Sequence, residues 1–501
     1  MLIYLAVTCC VSCLAAFPSP PGQYINLTKE DLSRADSYGI NEPLVGTYFF
    51  YWYNIHTKEH FINPDGSDAL VDHPANTEDY SYDSSDWWKR ELQDVKAARI
   101  DFIAPVYWGV PGYESWSFEG LPKLVEAWDE LDKADESPPR VGLFYDTSTL
   151  SHNPQQIHVD LTTPEGKEWL YNTIRDYYSL IPPRMWAMVD ESPVIFLYSA
   201  AFAAKQDPAA LNYVYSEFEK DFACRPYIVK EISWQGDADA TYAWGGALGP
   251  RWNDVVALGP GYDHHAVPGR KPLVVDREGG QFYARAWEML LAQSPKRRAN
   301  MVMVETWNEL HEGTDICHTV EYGRKYIEMT AKYAGMFKED IQLTPDGPYS
   351  EADHVYWDSV EGENGLSIPI SGDGLIEQIK IDDIPAVHTR SNPYGGRYLY
   401  VKIDDSFLFD QEIPVEIELT YLDAGCERIV LQYDSTDPEG SVREGAFKAG
   451  GDVSVGETEE WKKAKFKVTD GRFVNRNNGA DFRFAVIGGD LTVKRVEVKK
   501  L

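Results

Sequence analysis

From about residue 44 to about residue 335, short apolar runs alternate with amphipathic stretches, and this alternation constrains the fold more than any other feature. The runs are Leu44–Tyr53, Asp101–Trp108, Val141–Tyr145, Val194–Tyr198, Pro226–Ile232, Thr241–Trp244, Val255–Leu258 and Met301–Thr306. Between them, Trp88, Leu92 and Val95 recur at helical spacing behind Ser84-Ser85-Asp86, an expected N-cap. Tyr283, Ala286, Trp287, Leu290 and Leu291 repeat that pattern before the last run. Eight strands interleaved with helices predict an α/β fold, a (β/α)8 TIM barrel over residues 44–340, behind an N-terminal extension of residues 17–43. A doubly wound open sheet would want a glycine-rich phosphate loop after its first strand. Here that strand runs into Tyr51-Trp52-Tyr53-Asn54.

After residue 338 the helical period stops. A Pro/Gly/Asp-rich stretch reads as a linker over residues 341–370. Beyond it, Val415, Ile417, Leu419 and Tyr421 alternate with Glu416, Glu418 and Thr420. Ala464, Phe466 and Val468 alternate with lysines, and Phe482, Phe484 and Val486 continue the pattern. Residues 371–501 are therefore expected to form an all-β sandwich.

Composition excludes two partner classes. Forty-seven Lys+Arg against eighty Asp+Glu leave a formal charge of −33, which argues against nucleic acid and against an anionic membrane surface. Fifteen Trp and 31 Tyr beside so many carboxylates suit an oligo- or polysaccharide partner. Residues Leu2 to Ala16 are uncharged and apolar, and Phe17-Pro18-Ser19-Pro20-Pro21 breaks any helix after them. Residues 1–16 thus read as a signal peptide with small residues (Cys13, Ala15, Ala16) near its end, and a secreted, extracellular protein without a membrane segment is expected. Removing it would take Cys9, Cys10 and Cys13 and leave Cys224, Cys317 and Cys426, enough for one disulfide at most. Their spacing matches no zinc pattern, and neither a metal nor a cofactor is expected. Asn26-Leu27-Thr28 is a glycosylation sequon.

Function in such a barrel gathers at the C-terminal strand ends. The last run, Met301-Val302-Met303-Val304, leads into Glu305-Thr306-Trp307-Asn308-Glu309-Leu310-His311-Glu312-Gly313-Thr314. Glycoside cleavage needs two carboxyl groups, and Glu309 and Glu312, three residues apart, can face one pocket from a loop or turn. His311 is expected to orient or hydrogen-bond, since E-x-H-E lacks the spacing of a zinc site. Tyr51, Tyr53, Trp108, Tyr145, Asp146, Asp263, Glu305 and Trp307 are expected pocket walls. Arg270 and Arg277 are expected to pair with the carboxylates or the substrate.

The stretch Thr306–Thr314, followed by Glu321-Tyr322-Gly323-Arg324-Lys325-Tyr326, resembles the last-strand signature of endo-α-mannosidase-like enzymes, glycoside hydrolase family ninety-nine and its relatives. Tyr51-Trp52-Tyr53, His73-Pro74, Tyr82-Asp83-Ser84, Arg99-Ile100-Asp101-Phe102-Ile103 and Gly259-Pro260-Gly261-Tyr262-Asp263 follow that family's order. The resemblance implies a retaining glycosidase. In it, Glu309 would deprotonate the substrate 2-hydroxyl that attacks the anomeric carbon, and Glu312 would protonate the leaving group and later activate water. Two positions depart from the family: Leu310 stands where Trp is usual, and Asp315-Ile316-Cys317-His318 replaces an acidic residue followed by Pro. Leu399–Phe407 and Phe473–Phe482 resemble sandwich modules appended to glycosidases, which implies a carbohydrate-binding or a merely structural sandwich. The alternatives are a non-catalytic glycan-binding protein on the same barrel and a polysaccharide esterase, for which no G-x-S-x-G elbow is present.

Overall fold

A computed structural model of the chain describes residues 17–33, 35–112, 116–370, 373–440 and 445–501. The apolar stretch read as a signal peptide, with Cys9, Cys10 and Cys13, lies outside the described residues. The described part divides into two compact units, one of residues up to Trp287 together with Ala299–Asp340, the other of Glu288–Arg298 together with Ile341–Leu501.

The first unit is the barrel. Its strands are β1 (Leu44–Phe49), β2 (Phe102–Tyr107), β3 (Arg140–Val141 and Leu143–Tyr145), β4 (Ser192–Leu197), β5 (Tyr227–Glu231), β6 (Ala240–Tyr242), β7 (Val255–Leu258) and β8 (Met301–Val304). All pair in parallel, in the order β6-β5-β4-β3-β2-β1-β8-β7. The β1–β8 pairing, Leu44 against Met301 through Thr47 against Val304, joins the first strand to the last, as in a TIM barrel, and among the described residues leaves the ring without a ladder only between β6 and β7. Every residue of β1, β2 and β8 is buried, as strands covered on both faces require. Inside, the Tyr48 ring meets Phe144, Phe196, Tyr242 and Trp244 at centroid distances of 4.6–6.2 Å, filling the lumen with side chains.

Helices α1 (Ser85–Ala97), α2 (Trp116–Lys133), α3 (Pro164–Leu180), α4 (Ala210–Phe222), α5 (Gln281–Ala292) and α6 (Lys325–Lys338) follow β1 to β4, β7 and β8. The expected cap of α1 is present: the Ser84 hydroxyl accepts from the Trp87 N–H at 3.2 Å, and Trp88, Leu92 and Val95 are buried. The strict strand–helix alternation needs one correction. Among the described residues, no α-helix follows β5 or β6. Residues 232–239 and 243–254 make those crossovers. On its way back the second bonds Arg251 to Ala257 in both directions (2.8 and 3.1 Å), taking the ladder edge of β7 that β6 would otherwise use. No described β6–β7 ladder exists for this reason.

The second unit is an antiparallel sandwich. One sheet is built around Thr492–Lys500, which pairs with Val415–Leu422, His354–Asp358 and Ile384–Arg390. The other runs Leu366–Ser367, Tyr398–Ile403, Phe482–Ile487, Arg428–Tyr433, Lys448–Ser454. Val415, Ile417 and Leu419 enter a core with Leu399, Val401, Phe466 and Phe484, while outward Glu416 and Glu418 pair with Lys465 and Lys463. The expected linker 341–370 is not one. Residues 354–358, 362–364 and 366–367 are strands, and Val355 and Leu366 are fully buried in this core. Its prolines, glycines and aspartates serve the tight turns between strands too short to show a period.

Cys224, Cys317 and Cys426 are all free thiols. Among the described residues, no helix is long and apolar enough to cross a membrane. Asn26 is exposed with φ of 54°, a conformation asparagine tolerates.

Candidate active site

At the C-terminal ends of the barrel strands lies a cavity of about 430 Å³. Its wall comprises Phe50, Trp52, Trp108, Phe144, Asp146, Tyr198, Trp244, Gly245, Ala247, Leu248, Tyr262, Arg270, Leu273, Glu305, Thr306, Glu309, Glu312 and Thr314. Glu309 and Glu312 thus share one cavity with Glu305 and Asp146.

The stretch after β8 reaches this position by closing on itself. The Thr306 N–H donates to the Thr314 carbonyl at 2.8 Å, the two threonine hydroxyls lie 3.1 Å apart, and the Glu309 N–H donates to Thr306 Oγ1 at 2.9 Å. Gly313 bends the turn at φ of 54°, a conformation that favours glycine, and a Cβ there would crowd the Asp263 carbonyl at 3.3 Å. The Asn308 amide bonds both the N–H and the carbonyl of Phe50 (2.8 and 2.7 Å). Tyr53 Oη donates to the Asn308 carbonyl at 3.1 Å and accepts from the Leu310 N–H at 3.0 Å. Val71 N–H donates to the Leu310 carbonyl at 2.9 Å and Asp263 N–H to the Glu312 carbonyl at 2.8 Å.

The two glutamates sit in different surroundings. Glu309 is 3% exposed, and burial raises its carboxyl above the usual range. Its Oε1 accepts from the His311 N–H at 3.0 Å and lies 2.9 Å from His311 Nδ1. His311 Nε2 lies 2.9 Å from the His60 carbonyl, which can only accept, so Nε2 carries a hydrogen. Burial lowers the imidazole's affinity for a second proton, yet the Glu309 carboxylate outweighs it and His311 is raised overall. With Nε2 carrying its hydrogen, an ionised Glu309 requires a proton on Nδ1, so carboxylate and imidazolium occur together. Glu312 is more open, and the Arg270 guanidinium pairs with it. Arg270 Nη1 also donates to Tyr262 Oη at 3.3 Å. His264 Nε2 donates to the Lys271 carbonyl at 2.6 Å, which leaves Nδ1 to accept the Tyr262 hydroxyl at 2.9 Å.

Glu305 is 1% exposed, and burial pushes its carboxyl up to about 8 although the Gly245 N–H donates to Oε2 at 3.0 Å. Burial likewise raises Asp146, against hydrogen bonds from Ser148 and Trp108. The cavity's remaining wall is aromatic. Trp52 stacks between His60 (4.4 Å, 10°) and Trp108 (4.7 Å, 13°), and Trp244 packs on Tyr198 and Phe144. Flat apolar faces beside carboxyl groups match the two surfaces of a sugar ring, its C–H face and its hydroxyl edge.

Of the eleven expected catalytic, orienting and wall residues, Trp108, Asp146, Glu305, Glu309 and Glu312 line the cavity and six do not. Tyr51 is buried and donates to the Ser117 carbonyl at 3.2 Å, away from the wall. Tyr53 braces the turn as described, and Tyr145 is buried and bonded to Thr149 at 3.1 Å. Trp307 is buried and donates to Glu91 of α1 at 2.6 Å. His311 stands behind Glu309. Asp263 caps the His265 N–H at 2.9 Å, and its own N–H holds Glu312. Strand parity explains the misses on β1. Tyr48, Phe50 and Trp52 face the lumen and its mouth, whereas Phe49 and Tyr51 lie against Trp88 of α1. Trp52 could have been found by that alternation. Arg270, expected to pair with the carboxylates, does so with Glu312. Trp244 closed a strand run and Tyr262 stood in a motif, and neither was read as a wall.

The family model described as a domain of unknown function, DUF5010, matches residues 33–350. This chain belongs to the DUF5010 family. The DUF5010 match spans every barrel strand and all the cavity residues. No curated protein matches the chain. Among solved structures, the DUF5010 chain is similar to the family 99 (GH99) endo-alpha-mannosidase from Bacteroides thetaiotaomicron, at 15% identity and a TM-score of 0.42 over 60% of this chain and 98% of that one. A glycoside hydrolase-like protein matches at 16% identity and a TM-score of 0.43 over 63% and 100%. The C-terminal CBM6 of a laminarinase from Zobellia galactanivorans matches at 13% identity and a TM-score of 0.19 over 29% and 99%.

Proposed function

We propose that this protein is a secreted, retaining glycoside hydrolase that cleaves an α-linked, α-mannoside-like glycan. The observation that carries the reading is the placement of Glu309 and Glu312, three residues apart on one braced turn, in a single aromatic-walled cavity. In this reading the sugar ring lies against the Trp52–Trp108 or Trp244 side of the wall. Glu309, held as a carboxylate by His311, takes the proton of the substrate 2-hydroxyl as that oxygen attacks the anomeric carbon. Glu312 gives its proton to the departing glycosidic oxygen, so the bond breaks without releasing a bare alkoxide. Water then opens the intermediate from the same side, with Glu312 taking its proton and Glu309 returning one to the 2-oxygen. Two displacements restore the starting anomeric configuration. Secretion is supported by the Leu2–Ala16 stretch and the exposed Asn26 sequon.

The test is a screen of the full chain against α-mannans and other α-linked polysaccharides, with NMR of the first-formed product anomer. Retention is the expected result, and loss of turnover in Glu309→Gln and Glu312→Gln should accompany it. Inversion would contradict the 2-hydroxyl route. Glycan binding without any product would replace the enzyme with a lectin on the same barrel.

A further inference from the structure

The turn that carries Glu312 is fastened by a buried cation. Arg277 lies between the short strand Val274–Val275 and α5, with its side chain 8% exposed. The guanidinium carbon sits 4.4 Å from the ring centroid of Tyr322 and 4.7 Å from that of Tyr326. Nη1 donates to the Asp315 carbonyl at 2.8 Å. Nη2 donates to the Gly313 carbonyl at 3.0 Å, to Asp315 Oδ1 at 3.0 Å and to Asp72 Oδ2 at 2.8 Å. The two carbonyls flank Thr314, and Gly313 directly follows Glu312. Asp72 belongs to the segment whose Val71 N–H already grips Leu310. One planar fork therefore joins the chain after β1 to both sides of the turn after β8.

Burying a guanidinium with two carboxylates is a poor route to stability, since apolar groups of the same volume generally do as well or better. What a fork supplies and an apolar side chain cannot is several directed donors held in one plane. Here those donors go to main-chain carbonyls beside an acid.

We propose that Arg277 is a positioning residue for Glu312, setting where the acid's carboxyl stands relative to the leaving oxygen. The inference rests on the reading of Glu312 as the acid/base. Arg277 touches no cavity atom and acts only through the turn.

Protonation of the leaving group matters most when that group is a poor one, so misplacing the acid should slow substrates selectively. The experiment compares Arg277→Lys, Glu312→Gln and the wild type on mannobiose-type glycosides with either a sugar or a dinitrophenyl leaving group. The expected result is a fall in kcat of about a hundredfold on the sugar leaving group, little change on the dinitrophenyl one, and KM nearly constant. Equal losses on both substrates, or none, while Glu312→Gln does discriminate between them, would overturn the positioning role. If Glu312→Gln itself shows no such discrimination, the assignment of the acid has failed rather than the clamp. A substrate-free readout then decides the clamp: amide exchange at Asp263, whose N–H is bonded to the Glu312 carbonyl, should quicken in Arg277→Lys, and unchanged protection rejects the proposal. If Arg277→Lys does not fold, Asp72→Asn loosens the same guanidinium from the β1 side and carries both comparisons.

Discussion

His311 Nδ1 stands 2.9 Å from Glu309 Oε1 while its other ring nitrogen is committed to the His60 carbonyl. That commitment fixes the tautomer and makes the imidazole a cation whenever Glu309 is ionised. His311 thus works against the burial that pushes the Glu309 carboxyl upward.

Removing that cation should therefore move the base. If Glu309 is the base, as proposed, it functions once deprotonated, and the acidic limb of kcat/KM follows its carboxyl. In His311→Gln the carboxyl keeps its burial and loses its positive neighbour, and the limb should rise by about one pH unit or more. A limb at the wild-type position would show that Glu309 is not the group that titrates there.

Glu305 links pH to stability. Its folded carboxyl is raised to about 8 from an ordinary 4.5, so between those values the folded chain keeps a proton that the unfolded chain has released. Stability then falls as pH climbs through this window, and below it both states are protonated and the effect vanishes. Glu305→Gln should match the wild type at pH 4 and melt higher at pH 8, by about 3 °C or more in differential scanning calorimetry. An unchanged or lower Tm at pH 8 would contradict a neutral, buried Glu305.

The aromatic wall should act on binding more than on chemistry. Trp108 stacks on Trp52 and is only half-buried, so Trp108→Ala removes a face available to a sugar. We expect KM to rise about tenfold, equivalent to about 1.4 kcal/mol, with kcat within a few-fold. Steady-state kinetics on the glycan identified by the screen would test this, and an unchanged KM would remove Trp108 from the binding surface.

Tyr53 makes a different prediction because it never meets the cavity. Tyr53→Phe removes the acceptor of the buried Leu310 N–H and the donor to the Asn308 carbonyl. A loss of about 1–3 kcal/mol in unfolding free energy is expected from denaturant titration. Activity should fall with the turn's order, and KM should remain near its wild-type value.

What could be read from residues alone followed from periodicity and from the apolar run before the acidic cluster. The barrel strands were visible as short apolar runs, unbroken in β2 and β8, where every residue is buried, and interrupted in β5 by Lys230 and Glu231. Glu309, Glu312 and Glu305 were visible because Val304 delivers them to a strand end. Tyr51, Tyr145 and Trp307 misled because an aromatic ring at a strand end looks alike whether it turns to the lumen or to a helix, and only parity separates them. The helix-free crossovers after β5 and β6 were hidden because a missing helix leaves no positive mark, and the strands at 354–367 were too short to alternate. Arg277 was singled out as a possible partner of the carboxylates, yet nothing in its neighbourhood foretold Asp72, more than two hundred residues away, as the other end of its grip.

The two bare crossovers have a consequence for descent. Residues 305–315 and their braces at Phe50, Tyr53, Asp72 and Arg277 form an interlocked set in which few substitutions are neutral. Gly245, Ala247 and Leu248 come instead from the crossover after β6, which has no α-helix, and Tyr262, Arg270 and Leu273 from the long connection between β7 and α5, surface segments of the kind in which insertions and exchanges are tolerated. Under the reading proposed above, members of this lineage could drift from one sugar to another by rewriting one flank of the barrel mouth, and the bond-breaking machinery would pass unchanged from ancestor to descendant.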